Sequence, residues 1–90
     1  MYKIRTKKKF EKGLEKCKRS GLSIELLDYV VYKLASGQQL EAKYNDHKLK
    51  GKYVGHRECH IENDWLLIYK IENDKLILTL TDTGSHSDLF

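Results

Sequence analysis

The side chains suited to proton transfer lie in the second half of this 90-residue chain. All four histidines are found between residues 46 and 90, with carboxylates and cationic side chains close to them in sequence: His47, His56, His60 and His86. Imidazole is the one side chain whose unperturbed pKa lies near neutrality, so it can accept or donate a proton under physiological conditions. The pattern therefore predicts an acid/base enzyme.

Length and composition predict one globular domain, residues 1–90, with a modest core. No apolar run approaches the roughly 20 residues that span a bilayer, and the lysine-rich start lacks the apolar segment of a signal peptide. We therefore expect a cytoplasmic protein without a membrane partner. In that compartment Cys17 and Cys59 are expected to stay reduced.

Charge is distributed unevenly along the chain. Residues 1–20 carry nine Lys or Arg against two Glu, a local charge of +7, whereas residues 61–90 carry two Lys against six acids, a local charge of −4. The basic end suits a polyanion such as nucleic acid. An acidic protein partner explains the same charge equally well.

Helical patterns fill most of the first half. Residues 2–5 alternate like a short strand, and residues 7–20 place Phe10, Leu14 and Cys17 on one helical face. Gly21 is expected to end that helix. Ser23 can cap a second helix, which ends before Gly37.

Strand patterns fill the second half. Residues 53–61, 65–71 and 76–82 are rich in β-branched and aromatic side chains, and Glu-Asn-Asp turns separate them. Short links of this kind predict an antiparallel meander. The expected fold class is α+β in the order β-α-α-β-β-β, with a helical hairpin on one face of a twisted antiparallel sheet and the other face open.

Strand alternation then distributes the polar side chains over two faces. In the 53–61 run, His56, Glu58 and His60 share one face, and Arg57 and Cys59 share the other. A zinc site made of His56, Cys59 and His60 is disfavoured for that reason, and no metal is expected. His60 lies near the end of its strand, close enough to Asp64 across the next turn for an imidazole and a carboxylate to meet.

Four ordered motifs in residues 46–90 resemble the YafQ branch of the RelE-like toxins of bacterial toxin–antitoxin systems. They read Asp46-His47-x-Leu49-x-Gly51, Arg57-x-x-His60, Asp64-Trp65-x-Leu67-x-Tyr69 and Gly84-Ser85-His86-x-x-Leu89-Phe90. The first half of the chain agrees only in its helical pattern. The resemblance implies the compact α+β fold of microbial ribonucleases and a small endoribonuclease, an mRNA interferase, that cuts mRNA on the ribosome.

By motif position, four residues match catalytic or activity-supporting residues of the family: His47, His60, Asp64 and His86. Metal-free RNA cleavage needs a base for the ribose 2′ proton and an acid for the leaving 5′ oxygen, and it leaves a 2′,3′-cyclic phosphate. We assign His86 as the acid and His60 or His47 as the base. Asp64 is expected to orient an imidazole.

Further residues are expected to bind the substrate. Trp65 and Phe90 match aromatic positions associated with the family's site. Phosphates would be held by the cationic cluster beside the histidines: Lys48, Lys50, Lys52 and Arg57. One departure is Asp82, which stands where the family usually has an arginine that stabilises transition-state charge. Either Arg57 or a lysine of residues 48–52 replaces that arginine, or the nuclease is weak.

The resemblance also implies partners. Besides mRNA and the ribosome, a cognate antitoxin is expected to cover the Lys3 to Arg19 surface and the site with an acidic segment, and the free toxin is expected to be a monomer. No cofactor is expected. The alternative is a non-catalytic ParE-like toxin that binds a protein such as gyrase, or an interferase-like scaffold with weakened catalysis.

Overall fold

Three α-helices and a five-stranded sheet make up the protein, whose computed structural model describes residues 1–90. The strands are β1 (Lys3–Thr6), β2 (His47–Lys48), β3 (Arg57–Glu62), β4 (Trp65–Glu72) and β5 (Ile77–Gly84). The helices are α1 (Lys8–Arg19), α2 (Ile24–Ala35) and α3 (His86–Leu89), with 3₁₀ turns at Ala42–Tyr44 and Gly51–Tyr53. None of the helices has the length and apolar character needed to cross a membrane.

The sheet has the strand order β1-β5-β4-β3-β2. Strands β3, β4 and β5 form the predicted antiparallel meander, and the predicted α+β fold is confirmed. One detail differs, because β1 pairs with β5 in parallel, with Lys3 opposite Ile77. The sheet is therefore mixed rather than antiparallel throughout. The alternation of residues 2–5 predicts a strand there. It does not predict which strand β1 pairs with or in which direction, because the partner β5 lies more than 70 residues further along the chain.

The start of β3 also differs from the prediction. A strand was expected from residue 53, whereas residues 51–53 form a 3₁₀ turn and Gly55 has a φ of 86°. That φ lies in the left-handed region, which a glycine adopts without steric cost and which interrupts the regular extended backbone of a strand. His56 consequently precedes β3, and the expectation that it continues the strand face of Glu58 and His60 was wrong.

One face of the sheet packs against α1 and α2. The predicted helical stripes are buried there, with Phe10 and Cys17 from α1 and Leu27, Val30 and Leu34 from α2. From the sheet, the same core takes Cys59, Ile61, Trp65, Leu67, Tyr69, Leu78 and Leu80. Both cysteines are free thiols in this core. Burial of these apolar side chains is the main force that fixes the helices on the sheet.

The opposite face of the sheet carries a second, smaller apolar cluster. It consists of Tyr53, Leu66, Ile68 and Leu89, so the 3₁₀ turn and α3 cover this face only in part. His60 is opposite Leu66 and Glu58 is opposite Ile68 in the β3–β4 pairing, which places these two polar side chains beside the cluster. The partly covered face is therefore where the histidines can meet solvent.

Helix α1 makes a close approach to β5 at Gly13. A β-carbon at this position would lie 2.2 Å from the carbonyl oxygen of Thr83. Alanine is favoured over glycine in a helix by about 1 kcal/mol, but here the helix would have to move off the strand. We expect Gly13→Ala to lower the free energy of unfolding by about 1–3 kcal/mol.

Urea unfolding of Gly13→Ala, beside Lys12→Ala on the exposed side of α1, tests that contact. The control substitution should leave stability within about 0.5 kcal/mol of the wild type. A Gly13→Ala variant as stable as the control would show that α1 does not lie this close to β5.

Candidate active site

Three imidazole rings form a row on the partly covered face of the sheet. His47 comes from the edge strand β2, His60 from β3, and His86 from the first position of α3. The ring centroids of His47 and His60 are 6.4 Å apart, and those of His60 and His86 are 6.0 Å apart. Residues separated by up to 39 positions in sequence thus converge on one face of the sheet.

The orientation of His47 is set by its own loop. Its Nδ1 lies 2.7 Å from the carbonyl oxygen of Asn45. A carbonyl oxygen only accepts hydrogen bonds, so Nδ1 carries the proton of this contact. The other ring nitrogen, Nε2, is left facing Oε1 of Glu58 at 3.4 Å.

Glu58 lies between two of the histidines. Its Oε1 is 3.4 Å from Nε2 of His47 and 3.8 Å from Nε2 of His60. The residue is only 3% exposed, and its Oε2 atom is buried without a hydrogen-bond partner. A buried carboxylate in this place can exchange a proton with either imidazole or hold the rings in orientation. The sequence placed Glu58 on the face of His60 but gave no sign of its burial, so it was not chosen as a site residue.

Asp64 pairs with His86. Its Oδ1 accepts the backbone N–H of His86 at 3.0 Å and lies 3.5 Å from Nδ1 of the His86 ring. The expected contact of Asp64 with His60 is not what the structure shows. His60 is opposite Leu66 in the hairpin, so Asp64 lies beyond it in the turn, on the side where α3 begins.

Helix α3, which carries His86, is fixed at its N-terminus by a capping box. Ser85 Oγ accepts the N–H of Asp88 at 3.2 Å, and Asp88 Oδ2 accepts the N–H of Ser85 at 3.1 Å. The Lys16 ammonium donates to Asp88 Oδ1 at 2.7 Å. This contact, followed by the hydrogen bonds of Ser85, lowers the pKa of Asp88 to about 2. Helix α1 therefore helps to place the histidine of α3.

Two aromatic side chains were predicted to contact substrate, and only one is accessible. Phe90 is 62% exposed, with its ring centroid 6.2 Å from that of His86 and 6.0 Å from that of Tyr53. Trp65 is 1% exposed and lies in the helix-side core, where its indole N–H donates to Thr83 Oγ1 at 3.0 Å. Trp65 can support the site from beneath, but the structure does not bring it to the open face.

The predicted phosphate-binding cations also divide into two groups. Lys48, Lys50 and Lys52 are exposed, and the Lys52 ammonium lies 5.3 Å from the centroid of the Tyr53 ring. Arg57 instead points to Asp46, whose Oδ1 and Oδ2 accept from its Nε at 3.2 Å and its Nη2 at 3.3 Å. Its hydrogen bonds with Asp46 raise the pKa of the guanidinium. The structure therefore does not place Arg57 with the histidines.

Asp82, the departure from the family pattern, is opposite Ile68 in the sheet and almost fully buried. Ile68 is in turn opposite Glu58, so Asp82 lies on the face of the histidines, two strands away from Glu58. The Lys9 ammonium nitrogen of α1 is 3.9 Å from Asp82 Oδ2. This lysine offsets part of the negative charge that Asp82 brings near the site.

Burial raises the pKa of Asp82, so folded protein binds more protons than unfolded protein between the ordinary Asp pKa, about 3.9, and the raised value. Asp82 therefore costs stability as pH rises through that window. Asp82→Asn does not titrate. We expect its free energy of unfolding, relative to wild type, to increase from about pH 4 and to level off above the folded pKa. Denaturant unfolding at a series of pH values measures this difference, and a difference independent of pH would contradict it.

The sequence of this chain is similar to those of known bacterial toxins. The family model described as "Bacterial toxin of type II toxin-antitoxin system, YafQ" matches residues 2–90. A relative from Escherichia coli strain B/BL21-DE3, named mRNA interferase toxin YafQ, is 37% identical over 82 residues, which are 90% of this chain and 87% of that protein. The K12 protein of the same name is 51% identical over 51 residues, 57% of this chain and about half (53%) of its own length.

Solved structures agree over the full chain. The crystal structure of a metal-bound toxin from Helicobacter pylori is 46% identical with a TM-score of 0.94, and each chain is covered to 100%. The crystal structure of the E. coli DinJ–YafQ complex is 32% identical with a TM-score of 0.91, covering 100% of this chain and 99% of that one. In the present chain, no three His, Cys, Asp or Glu side chains are arranged to hold a metal ion.

The family model extends far beyond the four motifs of the second half. It includes β1, both long helices and all three histidines of the row. The predicted family is therefore confirmed over nearly the whole chain. The chain belongs to the YafQ family of bacterial toxins of type II toxin–antitoxin systems.

Proposed function

We propose that this toxin is an mRNA interferase, an endoribonuclease that cuts mRNA on the ribosome in the bacterial cytoplasm and so stops translation. The observation that carries the proposal is the row of three imidazoles with a buried carboxylate between two of them. The E. coli relatives carry the name mRNA interferase toxin, which supports the same activity.

The proposed reaction is metal-independent cleavage by the ribose 2′-hydroxyl. A base removes the 2′ proton, the 2′ oxygen forms a bond to phosphorus, and the bond to the 5′ oxygen breaks as an acid protonates that oxygen. The products are a 2′,3′-cyclic phosphate and a 5′-hydroxyl. The two roles require two proton-transfer groups on either side of one phosphate, and the 6.0 Å between the rings of His60 and His86 provides such a pair.

His86 is the proposed acid. Its Nδ1 is next to Asp64, which leaves Nε2 for the substrate, and the side chain is 60% exposed. His60 or His47 is the proposed base, since Glu58 lies within 3.8 Å of Nε2 of both rings and can take up or return a proton. Asp64 acts by holding the His86 ring and backbone.

Substrate binding is assigned to the exposed groups around this row. Lys48, Lys50 and Lys52 would neutralise RNA phosphates, and Phe90 would stack on a base next to the phosphate that His86 protonates. In this proposal the lysines of residues 48–52 replace the family arginine at position 82, because Arg57 is already paired with Asp46.

The proposed protein partner is a cognate antitoxin whose acidic segment covers the Lys3 to Arg19 surface and the site, giving a hetero-oligomer from a monomeric free toxin. The DinJ–YafQ complexes of E. coli support an antitoxin of this kind. On α1, every lysine is exposed, so the helix offers a cationic face to such a segment.

Charge reversal on α1 tests that docking. We expect Lys8→Glu with Lys12→Glu to weaken antitoxin binding by about tenfold or more in calorimetry at low salt. The control is Lys75→Glu in the turn between β4 and β5, which should leave the affinity unchanged. Equal affinity for all three proteins would place the antitoxin elsewhere.

Induction of the toxin in growing cells tests the activity itself. An interferase should stop growth and produce new mRNA 5′ ends within minutes, before transcription or DNA topology changes. A ParE-like toxin that binds gyrase should stop growth with intact mRNA and altered DNA supercoiling, and that outcome would refute the proposed function.

A further inference from the structure

Asp46 joins two side chains of the sheet at the point where the chain enters β2. Its Oδ1 accepts from Arg57 Nε at 3.2 Å and from the Tyr69 hydroxyl, and its Oδ2 accepts from Arg57 Nη2 at 3.3 Å. Arg57 and Tyr69 are opposite each other in the β3–β4 pairing. One carboxylate is thus held by three hydrogen bonds from donors on two neighbouring strands.

The sheet pairing of the segment that contains Asp46 is short. Strand β2 contains only His47 and Lys48, and it pairs with β3 alone at the edge of the sheet. Asn45, the residue before Asp46, has a φ of 46°, a left-handed conformation that asparagine tolerates better than most residues. A two-residue edge strand does not fix a side chain by itself. Side-chain contacts add to that pairing: Tyr44 and Leu49 pack on either side of the segment, and Asp46 bonds to the sheet between them.

His47 depends on this segment for both of its ring contacts. Its Nδ1 donates to the carbonyl oxygen of Asn45, and its Nε2 faces Glu58, so a shift of residues 45–47 would change both distances together. Asp46 lies in sequence between Asn45 and His47, the two residues joined by the Nδ1 hydrogen bond. Its two sheet partners hold the backbone that orients the imidazole.

We propose that Asp46, Arg57 and Tyr69 form a brace that positions His47 in the reaction, and that Arg57 serves RNA cleavage through this brace rather than by binding phosphate. The proposal rests on the proposed function for its catalytic consequence. The three are positioning residues, since Tyr69 is in the helix-side core and touches no part of the open face.

The competing role for Arg57, direct phosphate binding, requires a free guanidinium edge. Nε and Nη2 both donate to Asp46, so only the Nη1 side of the guanidinium is left, and turning the whole group to a phosphate would leave Asp46 beside a buried tyrosine hydroxyl without its charged partner. Burial first, and then the hydrogen bond to Asp46, raise the pKa of Tyr69, so this hydroxyl remains a donor at any physiological pH. The brace is therefore complete before RNA arrives.

Tyr69→Phe is the cleanest disruption, because it removes one hydroxyl and keeps the ring in the core. We expect kcat for RNA cleavage to fall about tenfold with KM nearly unchanged, since a catalytic group is displaced and no RNA contact is lost. Lys48→Ala, one residue from His47 on the exposed side, should instead raise KM and weaken the salt dependence of binding. A Tyr69→Phe effect confined to KM would overturn the proposal.

A double-mutant cycle with His47→Ala separates positioning from general packing. If the brace acts through His47, Tyr69→Phe should cause no further loss of kcat once His47 is alanine. The same tenfold loss in both backgrounds would show that Tyr69 acts independently of His47, and would overturn the proposal. Arg57→Lys, which keeps a charge but loses the paired geometry, provides a second variant should Tyr69→Phe fold poorly.

An NMR measurement on the protein without RNA tests the brace separately from RNA cleavage. In ¹⁵N-detected NMR, His47 of the wild type should show a protonated, hydrogen-bonded Nδ1, and Tyr69→Phe should weaken or broaden that signal while the His86 ring signals stay unchanged. An unchanged His47 signal would overturn the brace even if RNA is cleaved. Absence of RNA cleavage by the wild type would overturn the proposed function and leave this NMR result to decide the brace.

Discussion

Replacement of His86 by alanine is expected to reduce mRNA cleavage by about 100- to 10,000-fold. The reason is chemical, because the leaving 5′ oxygen would lose its proton donor. The substitution should change the free energy of unfolding little, since the His86 side chain is 60% exposed and α3 is held by the capping box of Ser85 and Asp88. The variant should therefore fold with wild-type stability and still bind antitoxin.

The matched control is His56→Ala. His56 is the one histidine outside the row, with its ring centroid 5.8 Å from that of Tyr53 and no contact with Glu58 or Asp64. Cleavage of a reporter mRNA by both purified variants, with thermal unfolding alongside, gives the comparison. If His86→Ala cleaves as fast as His56→Ala, the assignment of the acid is wrong.

Glu58→Gln is expected to lower activity without lowering stability. Activity should fall about 100-fold, because the amide cannot take up a proton beside His47 and His60. The free energy of unfolding should stay equal or rise by about 1 kcal/mol, because a buried carboxylate with one unpaired oxygen is replaced by a neutral group of the same shape.

A loss of activity without a loss of stability distinguishes Glu58 from a structural residue. Initial cleavage rates and urea unfolding curves of the same preparation are sufficient. A structural residue would lose stability and activity together. A Glu58→Gln variant that retains its rate would remove Glu58 from the proton-transfer chemistry and leave it a role in orienting the rings.

The sequence predicted the helices and the meander well, because both are encoded by short-range patterns. Phe10 and Cys17 are seven positions apart, close to two helical turns, and both are buried against the sheet. The errors concern long-range pairing and backbone conformation. The parallel partner of β1 depends on contacts across the whole chain, and the late start of β3 depends on the left-handed Gly55.

For the site, the sequence identified the three histidines that the structure brings together, and their catalytic roles remain predictions. Contacts between side chains could not be predicted as well. Asp64 was assigned to His60 from hairpin spacing, but the position of α3 brings it to His86 instead. Arg57 was assigned to phosphate because it lies near the histidines in sequence, although strand alternation already placed it on the other face, where Asp46 pairs with it.

The sequence did not predict Glu58 as a site residue because its burial is not visible in the sequence. In sequence, Glu58 looks like any solvent-facing glutamate of a strand, but the fold buries it, with His47 of β2 opposite it in the sheet. Burial of this kind depends on tertiary packing, which local sequence patterns do not show. Trp65 is the converse case, an aromatic side chain of the motif that the fold directs into the core.

The chemistry of the RNA ends produced by the toxin is the most direct measurement of the proposed mechanism. Ribosome-bound mRNA would be incubated with toxin freed of antitoxin, and the ends on either side of each cut would be identified by mass spectrometry and by their reactivity with kinases and ligases. Attack by the 2′-hydroxyl with His86 as acid predicts a 2′,3′-cyclic phosphate and a 5′-hydroxyl. A 3′-hydroxyl with a 5′-phosphate would mean that water attacks the phosphate, and would contradict acid/base catalysis by the histidine row.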